Sequence, residues 1–248
     1  MNPQFELVEL NGHELLVYLP WWRKGICHGQ TTRSFSFRAA DIRESSVALC
    51  ACIGASYLAL PLQSHGAELV DLSNGSVIEA ALKRDGDLLR HLSGDAILTP
   101  AGQPLESTVI AYGIMTADCV PIIVASDDGY LLIHAGWRGL ANGIICETIR
   151  TLGRPREVVI FAAAGGERYE VGVDVVNQIG PAAVCVSVNG STDKYLLDTA
   201  ATAAKQIESN FTGLNVERSM RCTITDLRFH SYRRDGASAG RCVTFVVP

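Results

Sequence analysis

The chain has 248 residues, 48% of them hydrophobic and 19% charged, with 21 basic and 26 acidic side chains and a formal charge of −5. That composition excludes a disordered chain, and at this length folding can bury roughly three quarters of the unfolded surface. The mild acidity gives no electrostatic reason to expect nucleic acid or an anionic membrane as partner.

Residues 1–6 show no basic stretch followed by an apolar run, so no secretory signal is expected. The apolar stretch from Val47 to Leu62 is broken by Gly54, Ser56 and Pro61 and is too short to span a bilayer. The expectation is a soluble, cytoplasmic protein. The eight cysteines form no CxxC pair, and most lie in apolar segments, as buried reduced thiols do.

Residues 14–19 read as a strand ended by Pro20-Trp21-Trp22. Asp41 with Glu44 three residues on forms a capping-box pattern, which predicts a helix that Gly54 interrupts or ends. Residues 75–94 mix charged and small residues and read as a surface excursion, whereas 107–112 and 120–125 are apolar runs of strand length. Residues 130–134 predict a buried strand, Ala135-Gly-Trp-Arg-Gly139 a glycine-punctuated turn, and Leu140 to Leu152 a helix stopped by Gly153-Arg-Pro155. Residues 158–162 follow as a strand, Asp198 to Asn210 as a helix capped at Asp198, and 241–247 as a closing strand. Strand, helix and strand at this spacing predict helices layered on a sheet. No repeat or linker is visible, so residues 1–248 read as one domain.

Three segments set a metal ligand or nucleophile beside glycine, aspartate or proline. They are Gln63-Ser-His65-Gly66, Thr116-Ala-Asp118-Cys119-Val-Pro121 and His134-Ala-Gly-Trp-Arg138-Gly139. Two histidines and a cysteine suit zinc, with the fourth position left for water or substrate. Such a centre activates water toward an electrophilic carbon. The separations match no short metal motif, and on spacing alone Cys119 and His134 read better as structural residues at strand ends. Alternatively, Cys119 is a thiolate nucleophile with His65 or His134 as its base. Arg138, in a turn that opens a helix, either clamps an anion or caps a surface carboxylate. Arg233 of Tyr232-Arg-Arg-Asp-Gly236 either reaches an anion or lies in a solvated turn. Asp118 either orients a histidine or holds a ribose hydroxyl, or is a plain turn aspartate. Glu170 either carries a proton or is an edge carboxylate. His13 and His91 sit in polar contexts and are expected to be exposed, while His28 and His230 lie near the site segments and could simply pack.

Together these segments resemble the YfiH family, also called laccase-domain or peptidoglycan-editing-factor proteins. The match begins at His28-Gly-Gln-Thr-Thr-Arg33. It runs through the three segments above and Gly94-Asp-Ala-Ile-Leu-Thr99. It continues with Tyr169-Glu-Val-Gly172, Cys222-Thr223, Ser231-Tyr-Arg-Arg-Asp-Gly236 and Gly240-Arg241. The resemblance implies an α+β fold, a three-layer α-β-α sandwich with a mixed sheet, of the CNF/YfiH-like cysteine-hydrolase type. It implies zinc, rather than copper, on His65, Cys119 and His134. It also implies phosphorolysis of adenosine, inosine, guanosine and methylthioadenosine, with deamination of adenosine. Asp118 and Glu170 are then the proton carriers, and Arg33, Arg138 and Arg233 the candidates for holding phosphate. The implied partners are small molecules, a purine nucleoside and phosphate.

Three departures stand out. Ser34-Phe-Ser36 replaces a usual Gly-Gly turn, Ala162 to Arg168 replaces a usual Gly-Pro-x-Ile-Gly loop, and His230 replaces an aromatic residue. The first two are expected to touch the pocket and so to bear on substrate choice. The other readings are a Cys119/His65 amidohydrolase acting on a peptidoglycan precursor, a copper polyphenol oxidase, and a nucleoside-binding protein whose loops have drifted. Six histidines, two of them in the matched metal segments, are few for several copper centres.

Overall fold

Three apolar runs in the middle of the chain become adjacent strands buried on both faces, which is why they read as continuous hydrophobic stretches rather than alternating ones. The computed structural model describes residues 2–74, 76–80, 92–103 and 108–248. Strands β1 (Phe5–Leu10), β2 (His13–Tyr18), β3 (His28–Thr31), β4 (Tyr57–Ala59), β7 (Ile110–Thr116) and β15 (Cys242–Val246) form one sheet, in the order β1-β2-β3-β15-β7-β4. A second sheet has the order β14-β10-β8-β9-β6-β5. Its strands are β5 (Leu69–Asp71), β6 (Ala96–Leu98), β8 (Val120–Ser126), β9 (Gly129–Ala135), β10 (Pro155–Ile160) and β14 (Asn215–Arg218). Parallel pairs (β4 with β7, β5 with β6, β10 with β14) sit among antiparallel ones, so both sheets are mixed. A small third sheet, β11-β13-β12, joins β11 (Glu170–Gly172), β12 (Cys185–Ser187) and β13 (Lys194–Leu197).

The class is α+β with mixed sheets, as expected, but the middle layer is double. Leu16, Tyr112 and Ile114 of the first sheet pack against Ile97, Ile123, Leu132 and Val159 of the second. Helix α1 (Leu19–Trp22) closes one end of that interface through buried Trp21. Helix α2 (Ile42–Ile53) covers the outer face of the first sheet through Leu49, Cys50 and Cys52. The outer face of the second is covered by α3 (Trp137–Ala141), α4 (Ile144–Ile149), α5 (Val173–Ile179) and α6 (Thr199–Asn210), with α7 (Tyr232–Asp235) near the C-terminus.

A buried glutamine clips the two sheets together. Gln30 donates from Nε2 to the Ala162 carbonyl (3.0 Å) and accepts from the Ala162 N–H (2.9 Å), as a neighbouring strand would. Gln30→Leu keeps the bulk and leaves both backbone groups without their partner, so we expect it to cost about 2–4 kcal/mol, read as a lower urea midpoint.

Several elements differ from the sequence reading for local reasons. Asp41 is the N-cap of α2 but makes no side-chain cap; its carboxylate instead accepts from Ser36 Oγ (3.4 Å). Gly54, at φ 72°, ends that helix as expected. The helix predicted over 140–152 is two short ones beginning at Trp137, because Gly143 between them takes the left-handed conformation (φ 77°). The Asp198 cap is present, its carboxylate accepting from Ala201 N (2.8 Å). Of the strand predicted over 107–112, residue 107 lies outside the described residues, and the observed strand runs Ile110–Thr116. Within the expected excursion, residues 76–80 are helical, whereas 75 and 81–91, with His91, lie outside the described residues. His13 is half-buried and stacks on Phe35, with ring centroids 4.1 Å apart, rather than standing exposed. Among the described residues no helix is long and apolar enough to cross a membrane.

Candidate metal centre and cleft

Strand register brings the candidate ligands together. In the β8–β9 hairpin Val120 faces Ala135 and Pro121 faces His134, so Cys119 arrives opposite Gly136. A Cβ on Gly136 would lie 3.1 Å from Cys119 Sγ and 3.4 Å from His65 Cδ2, and glycine leaves that space to the ligands. On the other side β6 pairs with β9, and His134 N donates to the Asp95 carbonyl (2.7 Å), extending the ladder by one residue. The loop carrying His65 precedes β5, which runs parallel to β6. One donor atom each from His65, Cys119 and His134 therefore lies within 4.8 Å of the others. His65 is exposed, Cys119 half-buried and His134 buried. The two rings meet edge to face at 4.8 Å.

A tetrahedral ion bonded at the usual Zn–N and Zn–S lengths holds its ligand atoms about 3.3–3.8 Å apart, so a small contraction of this cluster closes around one ion. Burial works against a thiolate at Cys119, but the imidazoles of His134 and His65 outweigh it and hold the thiol down to about 6. Burial likewise opposes a charged His134, but the Cys119 sulfur and Asp95 outweigh it and hold the imidazole up to about 9. Asp95 itself, despite burial, is held well below the usual carboxylate range by His134, the Gly66 N–H and Ser64.

The triad opens into a cleft of about 670 Å3 lined by Gln63, Asp118, Trp137, Tyr169, Thr199 and three arginines, Arg138, Arg233 and Arg241, among others. Each arginine lies over an aromatic ring: Arg138 over Trp137 (4.5 Å), Arg233 over Tyr169 (4.6 Å) and Arg241 over Tyr232 (5.9 Å). The cleft thus offers positive charge, flat rings and a three-donor floor.

The remaining predicted site residues separate into two groups. Asp118 lines the cleft at φ 92°, but both its oxygens are engaged, by Thr223 Oγ1 (2.7 Å) and the Arg233 N–H (2.7 Å). It ties the turn before Cys119 to the segment bearing Arg233 and orients no histidine. Arg138 and Arg233 line the cleft. Arg33 does not; it pairs with Asp235 at 3.5 Å. Glu170 does not line it either. Its carboxylate pairs with Lys194 (3.1 Å), while its carbonyl accepts from Arg233 Nη1 (2.7 Å). Of the two expected proton carriers, Asp118 is thus at the cleft and Glu170 is not among its lining residues.

The altered loops also lie elsewhere: no residue of 34–36 or 162–168 lines the cleft. Two departures are partners of each other, since the buried His230 Nε2 bonds the Phe35 carbonyl (2.8 Å). His28 spends its ring on Tyr18 N and the Ile26 carbonyl. The donors therefore fit one ion, and among the described residues no second cluster of three such donors exists for a multi-copper assembly.

Sequence reasoning gave Asp95 and Arg241 no role at the site, although both lie in matched motifs, Gly94-Asp-Ala-Ile-Leu-Thr99 and Gly240-Arg241. Asp95 left a second signal: an aspartate at the head of an otherwise apolar buried strand, Ala96-Ile-Leu98, needs a partner.

Comparison with known proteins places the chain in a family. A family model described as multi-copper polyphenol oxidoreductase laccase matches residues 32–248. The chain is 31% identical over 199 residues to a purine nucleoside phosphorylase of Aquifex aeolicus (strain VF5), covering 78% of this chain and 84% of that protein. It is 30% identical over 185 residues to purine nucleoside phosphorylase YfiH of Escherichia coli (strain K12), covering 64% and 72%. The crystal structure of Bacillus licheniformis hypothetical protein YfiH superposes with a TM-score of 0.79 at 20% identity, covering 100% of this chain and 99% of that one. YlmD from Geobacillus stearothermophilus gives 0.77 at 21%, covering 97% and 98%. With its ordered motifs, its fold and a family model spanning most of its length, the chain belongs to the YfiH, or laccase-domain, family.

Proposed function

We propose that the chain is a metal-dependent purine nucleoside phosphorylase, with His65, Cys119 and His134 holding one zinc ion. The observation that carries this reading is the three-donor centre at the floor of a cleft walled by arginines and aromatic rings. The relatives named purine nucleoside phosphorylase support it. The donor set, two imidazoles and a thiolate, suits zinc better than a multi-copper arrangement.

His65, Cys119 and His134 would hold the ion, which would supply Lewis acidity at the floor of the cleft. Arg233, with Arg138 and Arg241, binds the phosphate dianion and sets it beside the sugar. Tyr169 and Trp137 offer flat faces to the purine. A phosphate oxygen attacks the anomeric carbon, the C1′–N9 bond breaks, and its electron pair leaves with the base, which takes up a proton. The products are the free purine and the sugar 1-phosphate, which is ribose-1-phosphate from adenosine, inosine and guanosine and 5-methylthioribose-1-phosphate from methylthioadenosine. Adenosine, inosine, guanosine and methylthioadenosine share the bond that breaks, and we include all four as substrates. Deamination of adenosine, in which water adds at purine C6 and ammonia departs, is the second activity we assign to the same cleft.

One observation favours a second reading. The lowered thiol of Cys119 beside two histidines is also what a cysteine amidohydrolase needs. Product analysis after incubation with adenosine, with and without phosphate, separates the readings. Adenine and ribose-1-phosphate formed only with phosphate are expected, and inosine in either tube reports the deaminase. No product from zinc-loaded protein in either tube would overturn the proposal, and amide hydrolysis surviving chelation would favour the cysteine hydrolase.

A further inference from the structure

One carboxylate touches both histidines of the centre. Asp95 Oδ1 accepts from His134 Nδ1 (2.8 Å) and from the His65 N–H (3.0 Å). Its Oδ2 accepts from Gly66 N (2.7 Å), Ser64 Oγ (3.0 Å) and Ser64 N (3.3 Å). The side chain is fully buried. His65 sits at φ 63°, in the left-handed region that a residue with a side chain adopts only when its surroundings hold it there. The Asp95 bonds to residues 64–66 are such a hold.

We propose that Asp95 is the positioning residue of the metal centre, a single buried carboxylate that aims both histidine ligands at one point. An ionised carboxylate can only accept hydrogen bonds. His134 must therefore carry a proton on Nδ1, which leaves Nε2 as its metal-ligating nitrogen. The same carboxylate fixes the backbone of the 64–66 turn and so the direction of the His65 ring. The inference deepens the metal-dependent reading above and rests on it.

Asparagine at this position can do only one of the two jobs. With Oδ1 toward His134 and the His65 N–H, its amide N–H2 faces the N–H groups of Ser64 and Gly66. With Oδ1 toward the turn, N–H2 faces His134 Nδ1 and favours the tautomer protonated on Nε2, which cannot ligate.

The test is competition of zinc between a chromophoric chelator and the protein, wild type against Asp95→Asn. The expected result is an affinity about 10–100-fold lower for the variant, with far-ultraviolet circular dichroism unchanged. Equal affinity would overturn the role of Asp95 while leaving the metal reading intact. A wild-type chain that binds no zinc would overturn both. Should the variant fail to fold, long-range proton–nitrogen NMR on zinc-loaded wild type decides. A proton on His134 Nδ1 supports the proposal and one on Nε2 sinks it.

Discussion

Cys119→Ala should strip the protein of its metal and lower phosphorolysis by about 10²–10³-fold, the size of removing one preorganised electrostatic contact. Cys119 is the soft, anionic member of the three-donor set, and the two histidines left behind make a weaker, neutral site. The measurements are zinc per chain by elemental analysis and turnover with adenosine and phosphate. Unchanged metal content and unchanged turnover together would refute the mechanism.

The same residue predicts a pH signature in metal-free protein. With its thiol held at about 6, Cys119 stays a thiolate through neutral pH and loses that form as pH falls through about 6. Alkylation of Cys119 should therefore run near its plateau at pH 7–8 and slow below pH 6. Burial pushes Cys50 up to about 11 and Cys242 up to about 12, so both should stay inert over that range. Zinc should protect Cys119. Its affinity should rise with pH up to about 9, because the ion displaces the proton that His134 otherwise holds. The cysteine-hydrolase reading predicts the reverse pattern, with activity surviving chelation and ending on alkylation.

Arg233→Ala should raise KM for phosphate by about 10–100-fold, the loss expected for charge-assisted hydrogen bonds, with a smaller change in kcat. Among the three cleft arginines, Arg233 is anchored at three points. Its backbone N–H is bound by Asp118, the neighbour of Cys119, its guanidinium stacks on Tyr169, and Nη1 is fixed by the Glu170 carbonyl. A guanidinium has five N–H donors in one plane, so that anchor leaves others for phosphate. Arg233→Lys should recover only part of the loss, because an ammonium can neither stack on the ring nor bind bidentately. Steady-state kinetics with phosphate as the varied substrate reads the effect. An unchanged phosphate KM in Arg233→Ala would move the anion site to Arg138 or Arg241.

The residue types of the centre were legible in the chain, since His65, Cys119 and His134 each stand in a short glycine- or proline-punctuated segment at the end of an apolar run. Spacing alone argued against a metal, because local periodicity does not say which strand ends will be neighbours. The ordered motifs tipped the reading, and β8–β9 and β6–β9 pairing shows why such distant residues meet. The same limit explains Arg33 and Glu170. Their residue types suited anion binding and proton transfer, but Asp235 and Lys194 approach them from segments distant in the chain.

By itself the amino-acid sequence determined the strand-length run at 120–125, the buried strand at 130–134, the stop at Gly54 and the cap at Asp198, while the α+β class came with the resemblance of its ordered motifs. Each of those local features depends on side chains within a few residues of one another, where hydrophobic periodicity and backbone preference act. Only the tertiary structure decided that the middle layer is two facing sheets, that Asp118 is spent on Thr223 and Arg233, and that Asp95 serves both histidines. Those outcomes depend on strand register and on the direction of side chains across sheets, which place a buried carboxylate next to a ligand 39 residues away.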